Sequence, residues 1–251
     1  MYKRLHIKYL TSAFLLVLIF SSCQDDGTTV PDDGTFGYKY YPVAMGKYWI
    51  YQVDSTIYDD AGANVISSSS YVKEEIVDFF INEFDDTTFV LNRSIAKNLN
   101  DEFTTTDAWT IEKNEFMVAR TEENLRFVKL VFPVGLDRRW KGNQFDELIA
   151  IDVAGESIQV YKDWGDYVIV NEGQTLNTDS LQFKEVIEVL QGDATNEIER
   201  RYAKEYFAPD IGMIKKEMII LDTQCIFCPG ESWEEKAEAG FILSQTLIEY
   251  N

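Results

Sequence analysis

Short stretches of two-residue alternation, each closed by a Gly, Asn or Asp turn, recur along most of the chain. They limit the fold more than any other feature. In YKYYPVAMGKYWIYQVDSTIYDD (38–60), Tyr48, Ile50 and Gln52 share one parity and Trp49, Tyr51 and Val53 the other. A period of two puts alternate side chains on opposite faces of a strand, and aromatic and β-branched residues suit that pleated surface. DDAGAN (59–64) reads as a turn, and SSSSYVKEEIVDFF (67–80) as the returning strand of a hairpin. The pattern continues through DTTFVLNRSI, DAWTIEKNEFMVART, NLRFVKLVFPV, DYVIVNEG and the final AGFILSQTLIEYN. In EIERRYAKEYFA (197–208), Ile198, Arg200, Tyr202, Lys204 and Tyr206 share one side, which favours a strand over the helix its propensities allow. The expected fold is mainly β, a curved antiparallel sheet with one or two short helices, placed in parts of 74–84 and in 231–239. Many short alternating segments do not suit a doubly wound parallel sheet.

The first residues, MYKRLHIKYLTSAFLLVLIFSSC, follow a different grammar. Lys3, Arg4 and Lys8 precede an apolar stretch from Leu10 to Phe20, and small residues follow. That is the layout of a secretory signal peptide, and the stretch is short for a membrane span. FSSC followed by QDD resembles a bacterial lipoprotein processing site, with Phe20 where the pattern prefers Leu. The resemblance implies cleavage after Ser22, acylation of Cys23 and attachment to a membrane through that lipid. Asp25-Asp26 resembles the acidic signal of surface-exposed Bacteroidota lipoproteins. The implied location is the outer membrane, facing either the periplasm or the exterior. The expected organisation is a signal peptide at 1–22, a polar tether at 23–37 and a β-rich domain at 38–251, with a subdivision near 130 as an option.

Cleavage removes three basic residues and no acidic one, so the net charge moves from −20 to −23. A field of that sign opposes nucleic acid. His6, the one histidine, leaves with the signal peptide. Histidine-dependent triads and most catalytic zinc sites leave with it. No acidic run matches a calcium loop, and no pattern calls for a metal or another cofactor. Paired carboxylates remain available for glycan hydrolysis, but no residue pair is singled out as catalytic.

Two short segments echo one another: YPVAMGKYW (41–49) and FPVGLDRRW (132–140) both read aromatic-Pro-Val, five residues, Trp. The echo admits two related sheet modules. YPVAMGKYWIY (41–51) and FAPDIGMIKKE (207–217) also resemble segments of a poorly characterised family of Bacteroidota lipoproteins. That resemblance implies a curved antiparallel sheet of the open half-barrel type and carries no catalytic residues with it.

The remaining candidates are few. Cys225 and Cys228 could form a redox dithiol, half a metal site or a local disulfide. Export, the absence of further thiols once Cys23 is acylated, and the lack of a surrounding βαβ unit favour the disulfide. Tyr48, Trp49 and Tyr51 are candidates for a ligand-facing surface, against the alternative of core packing; Trp109, Trp140, Trp164 and Trp233 are candidates for structural anchors. The implied activity is binding of a protein, glycan or hydrophobic small molecule, or a structural role in the envelope. The alternative is a glycan hydrolase. Metabolic labelling with palmitate is expected to mark the wild-type chain and to be lost in Cys23→Ala; labelling that persists in the variant would remove the anchor.

Overall fold

The computed structural model describes residues 34–143 and 149–251. The signal peptide and Cys23 lie outside the described residues, as does most of the tether. The strands are β1 (Tyr48–Asp59), β2 (Asn64–Ile81), β3 (Thr87–Ala96), β4 (Thr104–Lys113), β5 (Met117–Glu122), β6 (Leu125–Val131), β7 (Arg139–Trp140), β8 (Ala150–Val153), β9 (Glu156–Gln159), β10 (Tyr167–Asn177), β11 (Gln182–Thr195), β12 (Glu199–Ala208), β13 (Gly212–Asp222) and β14 (Ala239–Tyr250). Twelve of them form one antiparallel sheet in the order β6-β5-β4-β3-β2-β1-β14-β13-β12-β11-β10-β7. β8 and β9 pair as a separate hairpin.

The curved antiparallel sheet expected from the alternation is present and bends nearly to closure. Its two outer strands meet at a seam. The Val128 amide of β6 donates to the Gly142 carbonyl at 2.8 Å, and the Trp140 indole donates to the Val128 carbonyl at 2.7 Å. A β-carbon on Gly142 would overlap the Tyr167 ring, so the close approach requires glycine.

Each half of the chain supplies six strands of the sheet as a meander. One half runs β1 to β6; the other is β7 followed by β10 to β14, with the β8–β9 hairpin inserted. The two echoing segments open these halves. Each places its tryptophan in the first strand, with the indole donating to a backbone carbonyl elsewhere: Trp49 to Ile211, and Trp140 to Val128.

Both mouths of the curved sheet are covered. At one end, called proximal here, lie the β2–β3, β4–β5 and β12–β13 turns. Residues 36–47 cross it: the Val134 amide donates to the Phe36 carbonyl, the Asp210 amide to the Lys39 carbonyl, and the Lys113 ammonium to the carbonyls of Tyr38 and Tyr41. At the distal end Ile158, Val160 and Trp164 enter the main core, and the Arg201 Nε–H donates to the Gln159 carbonyl at 2.8 Å.

The helix expected in parts of 74–84 is not formed; Glu74 to Ile81 continue β2. Cross-strand pairing overrides local propensity there, since Glu74 lies opposite Trp49 on one side and Arg93 on the other. In the other predicted region a short helix α1 (Trp233–Lys236) forms. Its start is a capping box: the Glu235 amide donates to the Ser232 hydroxyl, and the Ser232 amide donates to the Glu235 carboxylate. EIERRYAKEYFA contributes β12, as the alternation predicts.

Gly142→Ala is expected to destabilise the fold by about 1–3 kcal/mol through overpacking at the seam. Urea unfolding measures the loss, and faster hydrogen exchange at the Val128 amide locates it.

Candidate functional site

The candidate surface aromatics separate. Trp49 and Tyr51 are buried, and the Tyr51 hydroxyl donates to the Met213 carbonyl at 3.0 Å. These two serve the packing alternative. Tyr48 is partly exposed, and its hydroxyl donates to Glu249 at 2.7 Å. Trp140 and Trp164 are buried anchors, and the guanidinium groups of Arg93 and Arg120 lie 5.2 and 4.6 Å from the ring centre of Trp109. Trp233 is half-buried in the small helix under the Lys236 ammonium. Cys225 and Cys228 form a disulfide in the β13–β14 connection, which leaves Ile226 and Phe227 exposed between them.

The inward face of the sheet holds a feature that sequence reasoning missed. On β12 the inner row is Arg201, Ala203, Glu205 and Phe207, all buried. Glu205 is fully buried, and its carboxylate accepts from the Lys129 ammonium at 2.6 Å. Lys129 belongs to β6, which is not a neighbour of β12 in the sheet, so this pair crosses the interior. The Lys129 ammonium also lies 3.2 Å from Glu122, which in turn is 3.2 Å from the Arg120 Nε. Arg120 makes a two-pronged pair with Glu74, at 2.9 and 2.5 Å, across the two intervening strands β3 and β4. Lys216 approaches Glu205 at 3.9 Å. Three carboxylates and three cations therefore join β2, β5, β6, β12 and β13 in a chain with no net charge.

Buried charges survive only when paired, because the interior solvates them poorly. Burial by itself would raise the Glu122 carboxyl, but Lys129 and Arg120 outweigh it and hold the group well below the usual carboxylate range. Burial likewise opposes the charge on Lys129, yet Glu122 and Glu205 raise it above an ordinary lysine. The tyrosines around the chain are pushed up, Tyr161 to about 12, chiefly by burial. At neutral pH Glu122 is therefore ionised, Lys129 protonated and Tyr161 neutral.

Among the described residues, the space beside the Glu74–Arg120 end of the network is small. Tyr41, Tyr51, Glu74, Arg120 and Met213 border a void of about 10 Å³, roughly the least that holds one water molecule. Larger hollows lie on the outside. One of about 380 Å³ sits at the proximal end between the β2–β3 and β4–β5 turns, lined by Asn82, Phe84, Lys113, Met117 and Arg126 among others.

No family model and no curated protein matches this chain. Among solved structures, it is similar to a protein from Bacteroides fragilis described as exported, with a YmcC-like fold. The identity is 11%, the match covers 84% of this chain and 98% of that one, and the TM-score is 0.39. It is also similar to a protein from Parabacteroides distasonis described as a lipoprotein, at 11% identity, 86% and 99% coverage and a TM-score of 0.37. Likeness at this level carries no functional argument.

Lys129→Met would leave Glu122 and Glu205 short of a cation inside the sheet. The expected loss is about 3–5 kcal/mol, the usual result of removing one partner from a buried pair. The sign with pH follows from Glu122. Its folded pKa lies below the unfolded one, so its contribution is present above about pH 4.5 and is lost as pH falls towards the folded value. Urea unfolding from pH 7 down to pH 3 is expected to show declining stability in the wild type and a flatter profile in the variant.

Proposed function

We propose that the protein is an exported, lipid-anchored component of the outer membrane that works by presenting its outer surface to other envelope constituents. Cys23 is the anchor in this reading. The observation that carries it is how little space the described residues leave beside the buried Glu74–Arg120 pair. A pocket for a hydrophobic small molecule occupies roughly 300–1,000 Å³, whereas the space bordered by Tyr41, Tyr51, Glu74, Arg120 and Met213 is about 10 Å³. A carrier needs an apolar lumen; here cations and carboxylates bridge it. The lipoprotein-like processing site supplies the anchor and the export route.

The hydrolase reading has less support. Glycosidases place two carboxyl groups about 5–10 Å apart around a sugar that must reach them. Glu74, Glu122 and Glu205 are each bound to a cation inside the sheet, beneath the covers at both mouths. The proposal is tested on the full-length protein purified from its own membrane, by organic extraction and mass spectrometry. Acyl chains are expected only on Cys23. A free lipid or other apolar metabolite recovered at one per chain would overturn the reading in favour of a carrier.

A further inference from the structure

The proximal end carries large apolar side chains that the described residues leave about half exposed or more. Phe84 is 77% exposed and Phe116 68%, and Met45, Phe79, Phe80 and Ile81 are each about half exposed. Soluble proteins seldom group so many large apolar residues on one surface without a binding role. The grouping follows from the turns. Phe84 tips the β2–β3 hairpin and Phe116 the β4–β5 hairpin, and pairing of Thr88 with Glu112 brings the two turns to the same end.

Both tips read Asn-Glu-Phe and are built alike. The Phe84 amide donates to the Asn82 side chain at 2.9 Å, and the Phe116 amide donates to the Asn114 side chain at 2.9 Å. Each asparagine closes a small ring of its own, which leaves the phenylalanine pointing off the turn. The turn requires the asparagine but not the aromatic ring. At the distal end Asn196-Glu197-Ile198 makes the same turn, with the Ile198 amide on Asn196 at 2.9 Å, and carries a smaller side chain there.

The described chain also begins at the proximal end. The Phe36 carbonyl accepts from Val134, and the Tyr38 hydroxyl donates to the carbonyl of Glu115, the residue beside Phe116. Cys23 precedes Gly34 by eleven residues, about 40 Å at full stretch. The connection from Cys23 therefore joins the domain at this end, within that reach of the lipid. We infer that the proximal rim, with Phe84 and Phe116 at its tips, seats in the headgroup region of the membrane that carries the anchor. The inference rests on the anchor reading above. Glu83, Asp85, Asp86 and Glu115 flank the tips, so the contact is apolar and does not depend on anionic lipid.

The test uses full-length acylated protein in phosphatidylcholine vesicles. Phe84→Cys, Phe116→Cys and Ile198→Cys are prepared separately, each labelled with a small environment-sensitive fluorophore, and a nitroxide quencher is placed on the upper acyl chain. Rings seated about 5–10 Å into the interface are expected to be quenched at least about threefold more strongly at 84 and 116 than at 198. A doubly substituted Phe84→Asp, Phe116→Asp chain, labelled at Ile81→Cys, is expected to float with the vesicles while its quenching falls to the level at 198. Equal quenching at 84, 116 and 198 in protein that floats overturns the seating and leaves the anchor intact. Wild-type protein that does not float overturns both. Shielding of 84 and 116 that arises only when envelope protein is added, with no quenching by lipid, assigns the rim to a protein partner instead.

Discussion

The pair between Lys129 and Glu205 is the contact on which the shape of the sheet turns. It joins strands that are distant in the sheet order, so it exists only when the sheet has curled far enough to bring opposite walls together. In a dry interior neither charge is tolerable alone. The arrangement therefore penalises a slipped sheet that keeps one of these charges buried without the other. Glu74 and Arg120 act in the same way across a shorter span. Apolar side chains would fill the same space with less selectivity, since they accept many neighbours, whereas a buried carboxylate needs a cation beside it.

The strands were legible in the sequence because aromatic and β-branched residues alternate in them whether or not the inner face is apolar. The content of the inner face was not legible. In β12 the outer row of Tyr202, Lys204 and Tyr206 looks no more polar than the inner row that holds Arg201 and Glu205. Residue type alone does not say that one lysine in RFVKLVF faces inward. Glu74 and Glu75 misled in the opposite direction, suggesting a helix where ladder pairing on both sides decides for a strand. The capping box of α1 was readable because its two partners lie three residues apart. The repeated Asn-Glu-Phe at 82–84 and 114–116 was a visible signal for the exposed rim. Its meaning depends on a strand register that brings two separate turns side by side.

The two meanders give the echoing segments a physical role. Each starts at the proximal end, turns at a proline and delivers a tryptophan into the first strand of its half. The indole then fastens a carbonyl outside its own strand, so each half is clasped near its point of entry. Strand β7 is only two residues long, and Trp140 and Gly142 complete its role at the seam by binding both sides of Val128.

The pairing of β1 with β14 has a consequence for how the chain reaches this state. Trp49 lies opposite Tyr250, about as far apart in sequence as the domain allows. A chain that emerges amino-terminus first presents β1 before all the strands that separate it from β14. Until β14 arrives, one edge of β1 stays open to any strand that can add to it. Contacts between such remote segments also form slowly. The interval between emergence and closure is when this protein most needs protection from its own kind, and its high negative charge supplies some of that protection by keeping unfinished copies apart.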